Sequence, residues 1–289
     1  MDYLVHILIL FSIYGMLAIS LNLVVGYSGL LSVTHAAFYG IGAYATTLLM
    51  INLDLNFFLS LLIGMVFSGG TALLIGLVLS KFKDDFYAIA SLGFNVIVYS
   101  IMLNWQTLTR GPLGIPAIPR PSLFGFSFFG NFWFLILVLF FLIITYLIAR
   151  SIVNSSFGRV LKAIRENELA TQIFGYNTKY FKLTIFVIAA VMAGVAGSFF
   201  ASYVSFIDPS TFTMHESIFI LSIVILGGLA NLRGAVLGAF ILIILPEALR
   251  FLGLPNEIAA QSRQLIYGVI LVLLMLYRPQ GLIGEFKLK

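Results

Sequence analysis

"FFLSLLIGMVFSGGTALLIGLVL" occupies Phe57–Leu79, 23 residues without a charge. At 1.5 Å per residue a helix of that length crosses the hydrocarbon core of a bilayer, which asks for about 20 mostly apolar residues. Comparable runs recur along the whole 289-residue chain, which is 61% hydrophobic and 9% charged, with a mean hydropathy of +1.09. Soluble domains keep their apolar share near half. The sequence therefore predicts an all-α fold, a polytopic transmembrane helix bundle. A β-barrel would show alternating segments of about ten residues instead.

Working outward, about nine spans (eight to ten) are expected: Leu4–Val25, Leu30–Met50, Phe57–Leu79, Phe86–Leu103, Phe132–Ala149, Leu183–Val204, Ile218–Leu229, Ala235–Leu249 and Leu265–Tyr277. The seventh and eighth are short and glycine-rich, and are expected to be broken or re-entrant. Non-helical backbone at membrane depth is tolerated where protein or a water-filled path covers it. The first run follows Asp2 with no basic residue, unlike a cleaved signal peptide. No inserted soluble domain is visible, so residues 1–289 read as a single transmembrane domain.

Basic residues set the orientation. With the loop 150–182, the 80–85 turn, Arg233 and the C-terminal tail in the cytoplasm, that side holds 12 of the 16 Lys and Arg residues. Arg110, Arg120, Arg250 and Arg263 fall on the other side. Nine spans then put the C-terminus inside and the N-terminus outside. The outer loop 104–131 carries Pro112, Pro116, Pro119 and Pro121, which stiffen it into extended and turn conformations. The net charge of +5 fits cytoplasmic basic loops and gives no reason to expect nucleic acid.

The cytoplasmic loop contains "GRVLKAIRENELATQIFG", Gly158–Gly175, with Arg159, Lys162, Arg165, Glu166 and Glu168 close together. Phe157, Val160, Leu161 and Ile164 form an apolar stripe at helical spacing. The phase then slips, and Leu169 and Ile173, beside Ala170, start a second short stripe. Gly175 stands where a glycine ends a helix. Two short helices are expected, either lying on anionic headgroups or docking a cytoplasmic partner.

Several intramembrane groups invite two readings. Asn22, Thr34 and His35 either line a substrate route or make interhelical hydrogen bonds. Gly26, Gly29, Gly40 and Gly42 either pack helices or form an unwound segment whose backbone meets a zwitterionic ligand. Ala193, Gly194, Ala196 and Gly197 read as packing. Glu216 and Glu247 read as interfacial residues at outer span ends. Trp105, Gln106 and Arg110 open the outer loop, as contacts for a substrate-delivering protein or as ordinary interfacial residues. "VVGYSGLLS" (Val24–Ser32) faintly echoes "ILGGLANLRG" (Ile225–Gly234), without supporting an inverted repeat.

Absences narrow the chemistry. There is no G-x-x-x-x-G-K-[ST] phosphate loop, no H-E-x-x-H and no cysteine. His6, His35 and His215 are the three histidines, and none joins an arguable Ser-His-Asp set. An ion-coupled secondary transporter needs buried carboxylates for its coupling ion, and the spans hold almost none.

Three stretches together carry a family resemblance: "LNLVVGYSGLLSVTHAAFYGIGAYAT" (Leu21–Thr46), "LNWQTLTRGPLGIPAIP" (Leu103–Pro119) and "GRVLKAIRENELATQIFGYNTKYFKL" (Gly158–Leu183), the last followed by "ILGGLANLRGAVLGA" (Ile225–Ala239). The chain resembles the permease subunits of ABC importers, of the branched-chain amino acid LivM type. The resemblance implies a coupling helix in the cytoplasmic loop, with Arg159, Arg165, Glu166, Glu168, Ala170, Thr171 and Gly175 at the ATPase contact. Importer permeases generally carry Glu-Ala-Ala, three residues, then Gly. Ala170, Thr171 and Gly175 match the last three fixed positions, and Leu169 stands in place of the glutamate. The resemblance further implies two ATP-binding subunits holding ATP and Mg, no cofactor in this chain, a second homologous permease chain, an external solute-binding protein, and the inner membrane of a bacterium or archaeon. The implied cargo is hydrophobic, branched-chain amino acids. Urea or another small solute is the alternative within this type, and an ion-coupled amino acid transporter the alternative outside it.

Single cysteines at Asn167 and Lys289 test the orientation. Both should resist a membrane-impermeant thiol reagent in intact cells and react after permeabilisation, and labelling of position 167 from outside would reverse it.

Overall fold

The computed structural model describes residues 2–82, 84–123, 126–250, 268, 269, 272 and 281–283. Helix α1 (Asp2–Asn22) runs into a single π-helical turn at Leu23–Tyr27. A non-helical stretch over 29–34 leads into α2 (His35–Asn52). Asn56 caps α3 (Phe57–Leu79), its side-chain oxygen accepting from the Phe58 N–H at 2.9 Å. Helices α4 (Asp84–Asn104) and the one-turn α5 (Gln106–Thr109) enter the proline-rich loop. That loop holds β1 (Ile115–Pro116), β2 (Ser122–Leu123) and β3 (Phe126–Ser127). There follow α6 (Asn131–Asn154), α7 (Ser156–Glu166), α8 (Glu168–Ile173), α9 (Thr178–Val204), β4 (Phe206–Ile207), α10 (Met214–Gly227) and α11 (Leu232–Arg250).

Among the described residues five helices are long and apolar enough to span a membrane: α1 with its π turn, α3, α4, α6 and α9. The pair α10 and α11 turns through 119° at a short break, making a sixth span if counted as one, or a re-entrant hairpin. This is the irregularity that its short, glycine-rich sequence predicts. The expected second span, Leu30–Met50, is corrected. Its first five residues are not helical, and α2 is too rich in small and polar residues to stand among the five. Gly29, with φ +74°, ends the preceding helix, and Ser32 and Thr34 follow, whose hydroxyls compete for backbone groups. The expected ninth span, Leu265–Tyr277, lies outside the described residues.

The core is built on α2, which packs against α3 and α9, while α1 packs against α6, α9, α10 and α11. Lipid tails are as apolar as leucine, so close van der Waals fit and polar contacts hold such helices together. Gly42 and Gly194 meet backbone to backbone: a Cβ on Gly42 would lie 2.3 Å from the Gly194 Cα. A Cβ on Gly197 would lie 2.0 Å from the Tyr39 carbonyl oxygen. Ala193 and Ala196 are fully buried in the same seam. Thr46 and Ser198 hydroxyls lie 2.7 Å apart, and the Ser68 hydroxyl donates to the Ala190 carbonyl at 2.7 Å. In contrast, α3 turns Leu62, Val66 and Leu74 outward, and α4 does so with Ile97 and Ile101.

At one end of the bundle β1 pairs antiparallel with β4, Ile115 opposite Ile207, so the proline-rich loop is tied to the chain leaving α9. At the other end α7 packs against the π turn of α1, and α8 packs against α7 and α9. Glu216 is not the free interfacial residue the sequence led us to expect. It accepts from the Tyr14 hydroxyl at 2.6 Å, across from α1. Glu247 has no described side chain.

Gly42→Val should overpack the α2–α9 seam and cost on the order of 1–3 kcal/mol or more. Thermal unfolding in detergent should show a clear drop for Gly42→Val and none for Gly70→Ala, a helical position with nothing within 4 Å of an added Cβ.

Candidate functional site

The site comprises the α7–α8 element, the broken segment above it, and the turn between α10 and α11. Each is positioned by a local sequence signal. Ser155 caps α7, accepting from the Gly158 N–H at 3.3 Å. Leu161 and Ile164 are buried, as their stripe predicts, and Phe157 stacks on Phe181 at 5.0 Å. Asn167 ends α7 and caps α8, accepting from the Ala170 N–H at 3.0 Å. Gly175, φ +86°, closes α8 with the Gly175 N–H donating to Gln172 O at 2.9 Å and the Tyr176 N–H to Thr171 O at 3.4 Å.

The charges of this element are used inward. Arg165 donates to the Gly26 carbonyl at 2.8 Å and to Glu166 at 2.9 Å, with its side chain only 10% exposed. Gly29 lies against the same side chain: a Cβ there would stand 3.0 Å from the Arg165 Cγ. Glu168 meets Lys182 at 2.6 Å and accepts from Thr178 at 2.9 Å, while Gln172 donates to Thr178. This clamp fixes α8 to the first turn of α9. Thr171 is buried and Ala170 half-buried, whereas Arg159 and Glu166 are exposed. The second apolar stripe is left uncovered: Leu169, Ile173 and Phe174 are 68%, 86% and 81% exposed.

Above the element, one amide of the non-helical stretch and one in the first turn of α2 are taken up by side chains from other helices. The Val33 N–H donates to Ser91 of α4 at 3.0 Å, and the Ala36 N–H to Ser217 of α10 at 2.9 Å. His35 Nε2 is 2.7 Å from the Ser20 hydroxyl, and the Thr34 hydroxyl is 2.9 Å from that of Ser32. Asn22 holds the α10–α11 turn. Its amide donates to the Asn231 carbonyl at 2.9 Å, and its oxygen accepts from the Ala230 N–H at 3.0 Å. Gly26 lies against that turn, where a Cβ would be 2.5 Å from the Ala230 nitrogen. The two stretches with the faint sequence echo are thus in contact. Gly40 faces the Phe212 ring and Gly42 the Gly194 backbone. So Asn22, Gly26, Gly29, Thr34 and His35 gather about the broken segment, while Gly40 and Gly42 lie further along α2 as helix contacts.

At the opposite end Trp105 and Gln106 are exposed, and Arg110, φ +58°, caps the short α5. Thr109 anchors this turn by donating to Met102 O at 2.6 Å. Reading the sequence did not single out Ser91, Ser217 or the Thr178–Lys182 clamp. Serines inside apolar helices were the available signal, but their partners are 58 and 181 residues away. Among the described residues no cluster of His, Cys, Asp and Glu fits a metal ion.

Residues 3–276 match the family described as branched-chain amino acid transport system / permease component. The chain is 36% identical over 302 aligned residues to the high-affinity branched-chain amino acid transport system permease protein LivM of Escherichia coli (strain K12), covering 96% of this chain and 69% of that one. It is 27% identical to the probable LivM permease of Methanocaldococcus jannaschii, over 98% and 94% of the two chains. It is also 30% identical to the autoinducer 2 import system permease protein LsrC of Escherichia coli O9:H4, over 75% and 67%. No solved structure matches. With nearly the whole chain matched, the protein belongs to the family of branched-chain amino acid transport system permease components.

Proposed function

We propose that this chain is the membrane-spanning permease subunit of an ATP-driven ABC importer for branched-chain and other hydrophobic amino acids. The observation that carries the reading is the exposed apolar tip of α8, outside every span yet clamped rigidly to α9. Covering Ile173 and Phe174 with a partner is worth about 1.5–3 kcal/mol each, which a solvated tip forfeits. An ATPase subunit supplies that cover. Arg159, Glu166 and Ala170 lie at the rim of the contact. Arg165, Glu168, Thr171 and Gly175 shape the element from behind.

ATP and Mg sit on two partner ATPase subunits, because this chain has no phosphate loop, and the chain carries no cofactor. A second, homologous permease chain completes the pathway, and an external solute-binding protein meets Trp105, Gln106 and Arg110. We keep the nine crossings expected from the sequence, the interrupted stretch 29–52 counting as one although α2 alone is not apolar enough to stand among the five. This places α7, α8 and the C-terminus in the cytoplasm and the N-terminus outside. The substrate route runs by the broken segment, with Asn22, Gly26, Gly29, Thr34 and His35 around it and Gly40 and Gly42 along α2. Irregular backbone at membrane depth belongs where it is covered or lines a path. Alternating access then comes from movement of that segment and the α10–α11 turn against the α2–α9 pair.

Two measurements test this. Proteoliposomes holding both permease chains, the ATPases and the binding protein should take up leucine, isoleucine or valine only with ATP. Uptake by the lone chain under an ion gradient would overturn the reading. Ile173→Asp with Phe174→Asp should leave the purified chain folded and weaken ATPase binding on the order of a hundredfold. Unchanged binding would return the α8 tip to a headgroup-lying role.

A further inference from the structure

An open, polar pocket of about 340 Å³ lies at the α7–α8 end of the bundle, where four elements meet. Its walls include Arg150 and Asn154 from the end of α6, Lys162 from α7, Tyr27 from the π turn, and Asn231 and Arg233 at the α10–α11 turn. Three cations converge there, and no carboxylate lines the pocket. Among the described residues none of the three is in a salt bridge. Lys162 Nζ instead lies 5.6 Å from the Tyr27 ring centroid. Such a set of cations and amide groups is complementary to a phosphate.

The source of that phosphate is read from α6. Ile136, Phe140, Ile143 and Leu147 succeed each other at spacings of three and four residues, and all are 43–57% exposed. Arg150 and Asn154 continue the same stripe into the pocket. The apolar part of α6 is long enough to cross the hydrocarbon, so Arg150 falls at headgroup level. We propose that the pocket binds the phosphate of an anionic phospholipid headgroup, whose acyl chains lie along the exposed stripe of α6. The bound phosphate bridges α7 to the α10–α11 turn, through Lys162 on one side and Arg233 on the other. The lipid thereby sets how firmly α7 follows that turn. This goes beyond the transport reading and does not depend on which solute is carried.

The test titrates the delipidated full-length chain, in its transporter complex, with phosphatidylglycerol or phosphatidylcholine and follows adducts by native mass spectrometry. Phosphatidylglycerol should bind preferentially. Arg150→Gln with Arg233→Gln should weaken it by roughly tenfold or more. The charge-matched control, Lys81→Gln with Lys179→Gln, should bind like the parent. Arg150→Lys with Arg233→Lys, which keeps the charge, should retain most of the binding and shows that loss is not misfolding. Equal loss in the control pair, or equal binding of both lipids, would overturn the proposal. Saturation by inorganic phosphate without lipid would overturn the lipid assignment. Loss of ATPase assembly with lipid binding unchanged would assign the pocket to a protein contact instead.

Discussion

A peptide group with no partner cannot be left bare in hydrocarbon, where each costs several kilocalories per mole. This protein breaks its helices at two places inside the bundle, over 29–34 and over 228–231, and the rest of the architecture answers that breach. Asn22 holds one break by accepting from Ala230 and donating to Asn231. Ser91 takes up the Val33 amide of the other, and Ser217 the Ala36 amide in the first turn of α2 that follows it. Arg165 reaches up from outside to the Gly26 carbonyl, which the π turn leaves available. Without these partners, backbone groups buried at the two breaks would be left unpaired.

The same requirement explains why small residues line the centre. Two interrupted segments and their hydroxyl partners need helix axes close enough for short side chains to reach backbone. Gly42, Gly194 and Gly197 supply that approach, and the serines and threonines along α2, α3 and α9 occupy it. Thr46, Ser68 and Ser198 are therefore ties between helices, while Thr47, Ser60 and Ser202 are buried without a hydrogen-bond partner among the described residues. Ties of that kind are one of the two readings open for Asn22, Thr34 and His35 in the sequence. A route for a solute passes beside such ties and does not exclude them.

How much was legible follows from which interactions are local. Long uncharged runs such as Phe57–Leu79 and Leu183–Val204 announce themselves by length and composition. So does the end of α8 at Gly175, while the caps Ser155 and Asn167, equally local, came to light in the structure. The break at 29–34 was legible only as one of two readings of Gly26, Gly29, Gly40 and Gly42, because Leu30–Met50 is apolar enough to pass as one helix. The roles of Asn22, Ser91 and Ser217 depend on partners brought near only by the fold. The periodicity of Leu169 and Ile173 was visible, but period alone does not say whether a stripe is covered. The structure leaves it bare.

Helix α9 has a mechanical consequence. Its 27 residues extend about 40 Å without interruption. Its first turn is locked to α8 through Thr178 and Lys182, and the chain leaving it is stitched to the proline-rich loop through Ile207 and Ile115. A rod fastened at both ends works as a pushrod: a tilt imposed on α8 arrives at the far loop with no hinge in between to absorb it. The two faces of the membrane are thus in direct mechanical register along one element, and the broken segments beside it are the compliant parts that must give way.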